Sequence, residues 1–408
     1  MLKSIISKEI LHNLLSYKFS IIIILSTILI LVSIFVMYRD YCLALDNYEI
    51  LQQEPEYTIA VIQPTPLGIF AKGLDENLCR SYESGPAGQI SVSSKQQSVN
   101  ILFKLFTAPD LLYVVKVIMS LCATLFAFDM VCGEKEIGSL RQSLSNSLKR
   151  PILIIGKWIG GFISFILPFF IAVLLGTIFV TLSPMVDMNP DSSLKLGLFL
   201  LSSVIYLAVF FSLGLLISCL THRSSTSLVI SLFVWAILVF LIPNLGNIMA
   251  RQFVQIPTVQ QLELKREHSW IKNRFEKRSA ARSEHEEMDS RIRAENDKLT
   301  EDYRNRFNRL VKVSQNITRI SPAAAFTFLA TDIMGTGMAE ERRLKRAVLQ
   351  YIKDGDDDNG DKPVFSYRRS SIREVLGMGG LSSCLILILF NILFFTGAYV
   401  TFLRYDVR

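Results

Sequence analysis

Residues that carry chemistry are scarce in this sequence. It has six cysteines and four histidines. No C-x-x-C pair occurs, which leaves a zinc knuckle or a dithiol redox centre without support. There is no H-E-x-x-H, no G-x-S-x-G and no G-x-x-x-x-G-K-S/T, so the signatures of zinc peptidases, serine hydrolases and phosphate-binding loops are missing. The segment "GKWIGG" has its glycines and lysine in the wrong order for the last of these. His12, His222, His268 and His285 lie far apart along the chain. The acidic run "GDDDNGDK" fails as a calcium loop: counted from Asp354, Asn359 stands where a glycine is needed and Phe365 where a glutamate is needed. His285 and Asp289 are one helical turn apart, but Glu284, Glu286 and Glu287 around them read as a solvated face. No metal site and no catalysis are expected of this chain.

Charge is also scarce in six long apolar runs, where Lys116 and Asp129 are the only charged residues. Half the residues are hydrophobic and the mean hydropathy is positive, which puts the chain in the membrane class. The runs are 19–37, 111–131, 158–184, 196–220, 226–248 and 375–403, each long enough for a hydrocarbon core of roughly 30 Å. The first follows Lys18 and is too long for the apolar core of a signal peptide, so a retained span is expected. Lys and Arg then set the orientation. Residues 1–18 carry Lys3, Lys8 and Lys18. Residues 132–157 carry Lys135, Arg141, Lys149, Arg150 and Lys157. Arg223, Arg404 and Arg408 fall on the same side. These assignments put both termini in the cytoplasm, and 38–110 and 249–374 outside. The predicted fold is an all-α polytopic membrane protein: six transmembrane helices, an N-terminal interfacial helix and a large, mainly helical extracytoplasmic insertion.

The insertion has no Pro or Gly from Thr258 to Ile320. Apolar residues recur there at Met288, Ile292, Leu299, Tyr303, Phe307, Leu310 and Ile317, a helical period with a narrow apolar face. One straight helix of that length would reach roughly 90 Å, so a bent helix or a hairpin is expected. "ISPAAAFTFLATDIMGTG" (320–337) is apolar but short for a span; it is expected on the outer membrane surface or under the arm. Asn316-Ile317-Thr318 matches a glycosylation acceptor, a short pattern frequent by chance. In the first outer segment Cys42 and Cys79 can form a disulfide if the compartment is oxidising, with two thiols the equal alternative.

Between the second and third spans lies "FDMVCGEKEIGSLRQSLSNSLKR". Ile137, Leu140, Leu144 and Leu148 follow in steps of three, four and four, which predicts a short amphipathic helix at the membrane surface. Gly138 lets the chain turn as the span ends, and Pro151 suits the first turn of the next helix. Gly156, Gly160 and Gly161 give a small-residue face for close packing.

This segment resembles the signature of ATP-binding-cassette transporter permeases of the type-2 export family, "EKE-x-G-S/T-L" followed by "LS", a basic residue and "GK". The match is Glu134, Lys135, Glu136, Gly138, Ser139, Leu140, then Leu144, Ser145, Arg150 and Gly156-Lys157. "PTPLGIFAKGLDE", "ISPAAAFTFLATDIMGTG" and "FLRYDVR" extend the resemblance, which looks closest to the subgroup with a large outer domain between the fifth and sixth spans. The resemblance implies a permease subunit that couples ATP hydrolysis on a separate cytoplasmic ATPase to export. The ATP and Mg would sit on that partner, and 132–157, including Leu148, would hold the coupling helix. The N-terminal segment, with Leu2, Ile5, Ile6, Ile10 and Leu14 on one face, is similar to the family's elbow helix. Further expectations are a second permease copy or a homologous permease, contact with membrane lipid, no nucleic acid, and location in a bacterial cytoplasmic (inner) membrane. The greasy spans suggest lipid-like or amphipathic cargo. The alternative is an ATPase-driven mechanotransmission protein that acts through its outer helices and translocates nothing.

Overall fold

Apolar runs that cannot hydrogen-bond to lipid must satisfy their own backbone, so they form helices. The computed structural model describes residues 2–53, 62–75, 81–84, 90–93, 109–145, 149–258, 260–261, 264–265, 267–271, 274, 285–356, 365–375 and 380–405. It contains six helices long and apolar enough to cross a membrane: Tyr17–Ile50, Leu111–Ile137, Arg150–Thr181, Pro190–Leu220, Ser224–Phe253 and Leu381–Leu403. The only strands among the described residues form an antiparallel pair, β1 (Ser81–Ser84) and β2 (Ile90–Ser93). The described chain divides into two compact units, Met1–Val239 with Pro322–Arg408, and Phe240–Ser321.

In the first unit, α1 (Leu2–Leu14) precedes the first span, α2 (Tyr17–Gln53). The helix α2 runs well past residue 37, where the apolar run ends, because no Pro or Gly interrupts 38–53. The second span, α3, is residues 111–127 and contains a π-turn at Val114–Met119. The short α4 (Cys132–Ile137) and α5 (Ser139–Ser145) lead into α6 (Arg150–Thr181). Next come α7 (Pro190–Leu220) and α8 (Ser224–Ala236), whose last turn enters a second π-turn, Ile237–Leu241. Local chemistry sets several starts. Asp110 caps α3 by accepting the Tyr113 N–H at 2.8 Å. Pro151 and Pro190 occupy the first turns of α6 and α7, where a missing backbone donor costs nothing.

The helix α7 is the centre of this unit, with Phe199, Tyr206, Phe210 and Phe211 fully buried. It packs against α3 and against the last span, α14 (Leu381–Leu403). By contrast α2, α8 and α14 leave side chains such as Ile24, Phe233 and Leu389 exposed, as expected where lipid is the solvent.

The segment expected on the outer membrane surface or under the arm forms a helix seated in the first unit. The helix α11 (Pro322–Met334) is almost wholly buried and packs on α7 and α14. Phe326 stacks on Tyr206 with ring centroids 4.3 Å apart and planes 11° apart. Its length, too short to cross a bilayer, suits a helix that enters from one side and packs among the spans. Tyr206 also donates its hydroxyl to the Lys116 carbonyl at 2.7 Å. That carbonyl lies in the π-turn, where the ordinary helical pairing is displaced. Ser120 Oγ bonds the same carbonyl at 2.6 Å and accepts the Trp235 indole N–H at 3.0 Å.

At the end of the bundle away from the termini, pieces distant in sequence lock together. Asp110 accepts a second N–H, from Lys72, at 3.0 Å. Burial raises the Asp110 pKa, opposed by the two backbone donors and by Lys116 and Lys72. Gly73, at φ +48°, presses on Thr336, where a Cβ would come within 2.7 Å of the carbonyl oxygen, and the Leu74 N–H meets that oxygen at 2.8 Å. Arg369 bonds Asp75 at 2.8 Å and the Gly335 carbonyl at 2.9 Å. The helix α12 (Met338–Asp356) brings Glu340 to Tyr367 (2.8 Å) and to Ser370, while Lys195 donates to the Ser370 carbonyl at 2.9 Å. Burial and the Glu340 carboxylate both push the Tyr367 phenol up. One further turn, α13 (Ile372–Val375), ends this layer. Cys42 sits half-buried on α2; Cys79, its expected partner, lies outside the described residues, as does most of the acidic run after Asp356.

The second unit holds α9 (Ile242–Phe253) and α10 (His285–Thr318), packed against each other. Gly246 permits the close approach, since a Cβ there would fall 2.2 Å from Thr318 Oγ1. Within the arm, α10 packs against the end of the fifth span, and α10 alone would extend roughly 50 Å.

Removing the ring that wedges α11 into the bundle should be felt strongly. Phe326→Ala is expected to destabilise the protein by ~3–5 kcal/mol and Phe326→Leu by markedly less. Thermal unfolding of the detergent-solubilised variants checks this, and equal melting temperatures for Phe326→Ala and wild type would refute the wedge.

Candidate functional site

Successive residues of a helix point about 100° apart, so three in a row can reach three different neighbours. In α4 the neighbours are three other helices. Glu134 Oε1 accepts from Lys157 Nζ at 2.7 Å. Lys135 Nζ donates to the carbonyls of Cys219 (2.5 Å) and Thr221 (3.0 Å), the terminal acceptors of α7. Glu136 accepts the Ser224 backbone N–H at 3.0 Å and its hydroxyl at 2.8 Å, at the start of α8. Each contact places charge where a helix end attracts it, a cation at the C-terminus of α7 and an anion at the N-terminus of α8. Lys135 also lies 4.7 Å from the Tyr405 ring centroid.

Lys157 is 3 % exposed and holds a second carboxylate, Glu9 of α1, at 3.0 Å. A lone buried ammonium is strongly unfavourable, and two carboxylates remove that penalty. The glycines beside it explain how α1 comes so close. A Cβ on Gly156 would lie 2.7 Å from the Ile5 side chain, and one on Gly160 would lie 2.8 Å from Glu9 Cβ and 3.1 Å from the Ile6 carbonyl. Gly161 faces inward, toward Met130 and Phe211. The small-residue face of the third span thus splits between the N-terminal helix and the bundle core.

The remaining helix ends are tied at the same face. Lys18, at the start of α2, pairs with Asp129 just beyond α3. Ser218 Oγ accepts the N–H groups of Val131 and Cys132, both at 3.0 Å. Arg150 donates to the Leu403 carbonyl at 2.9 Å, at the C-terminus of α14.

Gly138 separates this anchor from α5. It adopts the left-handed conformation, φ +82°, with no atom within 4 Å of where a Cβ would be. That break splits the apolar stripe expected from spacing alone. Leu140 is buried with Leu153, Ile154, Leu215, Ala398 and Phe402, whereas Ile137 is 83 % exposed. Ile137 belongs to the helix before the break, so its spacing to Leu140 does not place them on one face. Ser139, Leu144 and Ser145 fall within α5, the side chains of the latter two being undescribed; Leu148 lies outside the described residues. Among the described residues no three His, Cys, Asp or Glu side chains come together as a metal site.

Sequence reasoning singled out Glu134, Lys135, Glu136, Gly138, Arg150, Gly156 and Gly160, and the structure brings all of them to one face. It missed Glu9, Ser218 and Ser224. Glu9 had a signal, as the lone acid in a helix with two lysines; Ser218 and Ser224 had none, being two of many serines near span ends.

Comparison with known proteins fits this arrangement. A family model described as ABC-2 family transporter protein matches residues 4–407, nearly the whole chain. No curated protein matches the sequence.

Breaking the buried triad should be far worse than replacing it. Lys157→Met alone leaves Glu9 and Glu134 without their cation and is expected to destabilise by ~3 kcal/mol. Combining it with Glu9→Gln and Glu134→Gln should recover most of that loss. Thermal unfolding of the single and triple variants decides, and a triple variant no more stable than Lys157→Met would refute it.

Proposed function

We propose, for a chain that belongs to the ABC-2 transporter family, that α4 and α5 transmit the stroke of a separate cytoplasmic ATPase to the spans. The chain is an integral membrane protein and the permease subunit of an ABC transporter. The observation that supports the coupling role is the placement of Glu134, Lys135 and Glu136 on three different helices, immediately before the Gly138 break. A force on α5 would reach α4 through one residue. From there it would pass to α1 and α6 through Lys157, to the end of α7 through Lys135, and to the start of α8 through Glu136.

In this reading the face that carries Glu9, α5 and Tyr405 is cytoplasmic, and both termini with it. ATP and Mg bind on the ATPase subunits, two of which engage a pair of permeases, either two copies of this chain or one copy and a homologous chain. The pair sits in a bacterial inner membrane and exports a lipid-like or amphipathic substrate. The arm helix α10 and the layer around Glu340 and Arg369 then belong outside, as in the subgroup with a large outer domain.

Two measurements test the reading. Gly138 can be replaced by Asn, which tolerates φ > 0, or by Val, whose left-handed conformation is strained by ~1–2 kcal/mol. Gly138→Asn should retain permease-dependent ATP hydrolysis. Gly138→Val should lose most of it while the permease is made and inserted normally, because nothing is crowded at that site. Full hydrolysis by Gly138→Val in an intact complex would remove the coupling role. In a background without other cysteines, Ile137→Cys should react with an impermeant maleimide only after permeabilisation, and Lys345→Cys in intact cells. The reverse pattern would overturn the orientation.

A further inference from the structure

Polar side chains inside a bilayer need partners, because lipid tails offer none. Asn391 is the eleventh residue of the 23 in α14, roughly 15–18 Å from either end at 1.5 Å per residue. At that depth neither headgroups nor bulk water can serve it. Its amide orientation follows from a relay. The Trp158 indole N–H can only donate, and it donates to Ser212 Oγ at 2.9 Å. Ser212 then gives its own proton to Asn391 Oδ1 at 3.0 Å. The Asn391 carbonyl is committed, and its NH2 group is left with two donors and no acceptor among the described residues.

The position of Asn391 on its helix shows where those donors lie. Leu387, four residues earlier, and Ala398, seven later, are both fully buried, so this stripe faces the bundle. Asn391 on the same stripe is only half-buried. The side chain is therefore reachable from outside the bundle where α6, α7 and α14 meet. Trp158, Phe162 and Phe395 are half-buried around it. Trp158 stacks on Phe162 at 5.4 Å and meets Phe395 edge-on at 5.5 Å. The cation next in sequence to this cluster, Lys157, is already held by Glu9 and Glu134, so nothing here favours an anion.

We propose that this surface around Asn391 is a binding site for a neutral hydrophobic molecule bearing a carbonyl oxygen. The oxygen accepts the Asn391 amide N–H, and the apolar body lies against Trp158, Phe162 and Phe395. The Trp158–Ser212 relay presents the donor in a fixed direction. The site stands apart from the coupling role of α5, and its test uses neither ATP nor transport.

The probe is 4-dodecylbenzophenone, whose ketone is both acceptor and photoreactive group, added to the full chain in phosphatidylcholine nanodiscs. Labelling should saturate and concentrate in peptides containing Trp158 and Phe395. Asn391→Leu should raise the half-saturating concentration by about fivefold, the effect of one hydrogen bond. Ser212→Ala, which frees the amide to turn, should act in the same direction by less. The infrared carbonyl stretch of the bound probe should lie below that of the probe in lipid alone, a readout that needs no variant. Labelling that spreads evenly over the lipid-facing helices, an unshifted carbonyl stretch, or unchanged affinity in a folded Asn391→Leu protein would overturn the proposal. So would oxidative cross-linking of Asn391→Cys between two copies, which would give the donor to a second chain.

Discussion

The arrangement of one whole face of this protein follows from a single requirement: the Lys157 ammonium is out of water and must be neutralised. Its two carboxylates come from opposite directions, Glu9 on the N-terminal helix and Glu134 on α4. Meeting that requirement pins α1 along α6, and glycines at 156 and 160 make the approach sterically possible. It also fixes the rotation of α4, and once Glu134 is placed, Lys135 and Glu136 have no choice of direction. They fall on the end of α7 and the start of α8. Ionic contacts at a water boundary contribute little individually. The strength of this set lies in burial and in shared geometry, since none of the three can move without disturbing the other two.

The far end of the bundle is held by both main-chain and side-chain joints. Leu74 meets Thr336, Lys72 meets Asp110 and Arg369 meets Gly335, while Arg369 also pairs with Asp75 and Glu340 with Tyr367. They connect the loop after α2 with the segment around α11 and α12. Within the membrane, the polar contacts that survive are relays of hydroxyl and indole groups, Tyr206 to Lys116, Trp235 to Ser120, and Trp158 to Ser212. Each satisfies a backbone or side-chain group that lipid cannot.

The spans and the arm were legible in the sequence because both rest on periodicity and length, which local composition carries. The "EKE" segment was legible as a motif, and its geometry follows from helix rotation. Ile137 was misread because spacing alone cannot register a left-handed residue between two apolar positions; Gly138 carried that information. The seat of α11 was not legible for a related reason. Its apolar composition says only that it is buried, and the partners that bury it, Tyr206 and the inner face of α14, come from segments more than 40 residues away on either side. Ser218 and Ser224 became visible only when folding brought helix ends together.

The burial of α11 bears on how the chain is made. Its docking surface includes α14, which leaves the ribosome after both α7 and α11. Until α14 arrives, Phe326 and its neighbours have only part of the surface that covers them in the finished protein, while Tyr206 and α7 have been in the membrane for more than a hundred residues of synthesis. The seat of α11 is therefore completed only once α14 has been made, and a chain truncated before Leu381 would carry an apolar helix with half its seat missing, a feature that membrane quality control could recognise.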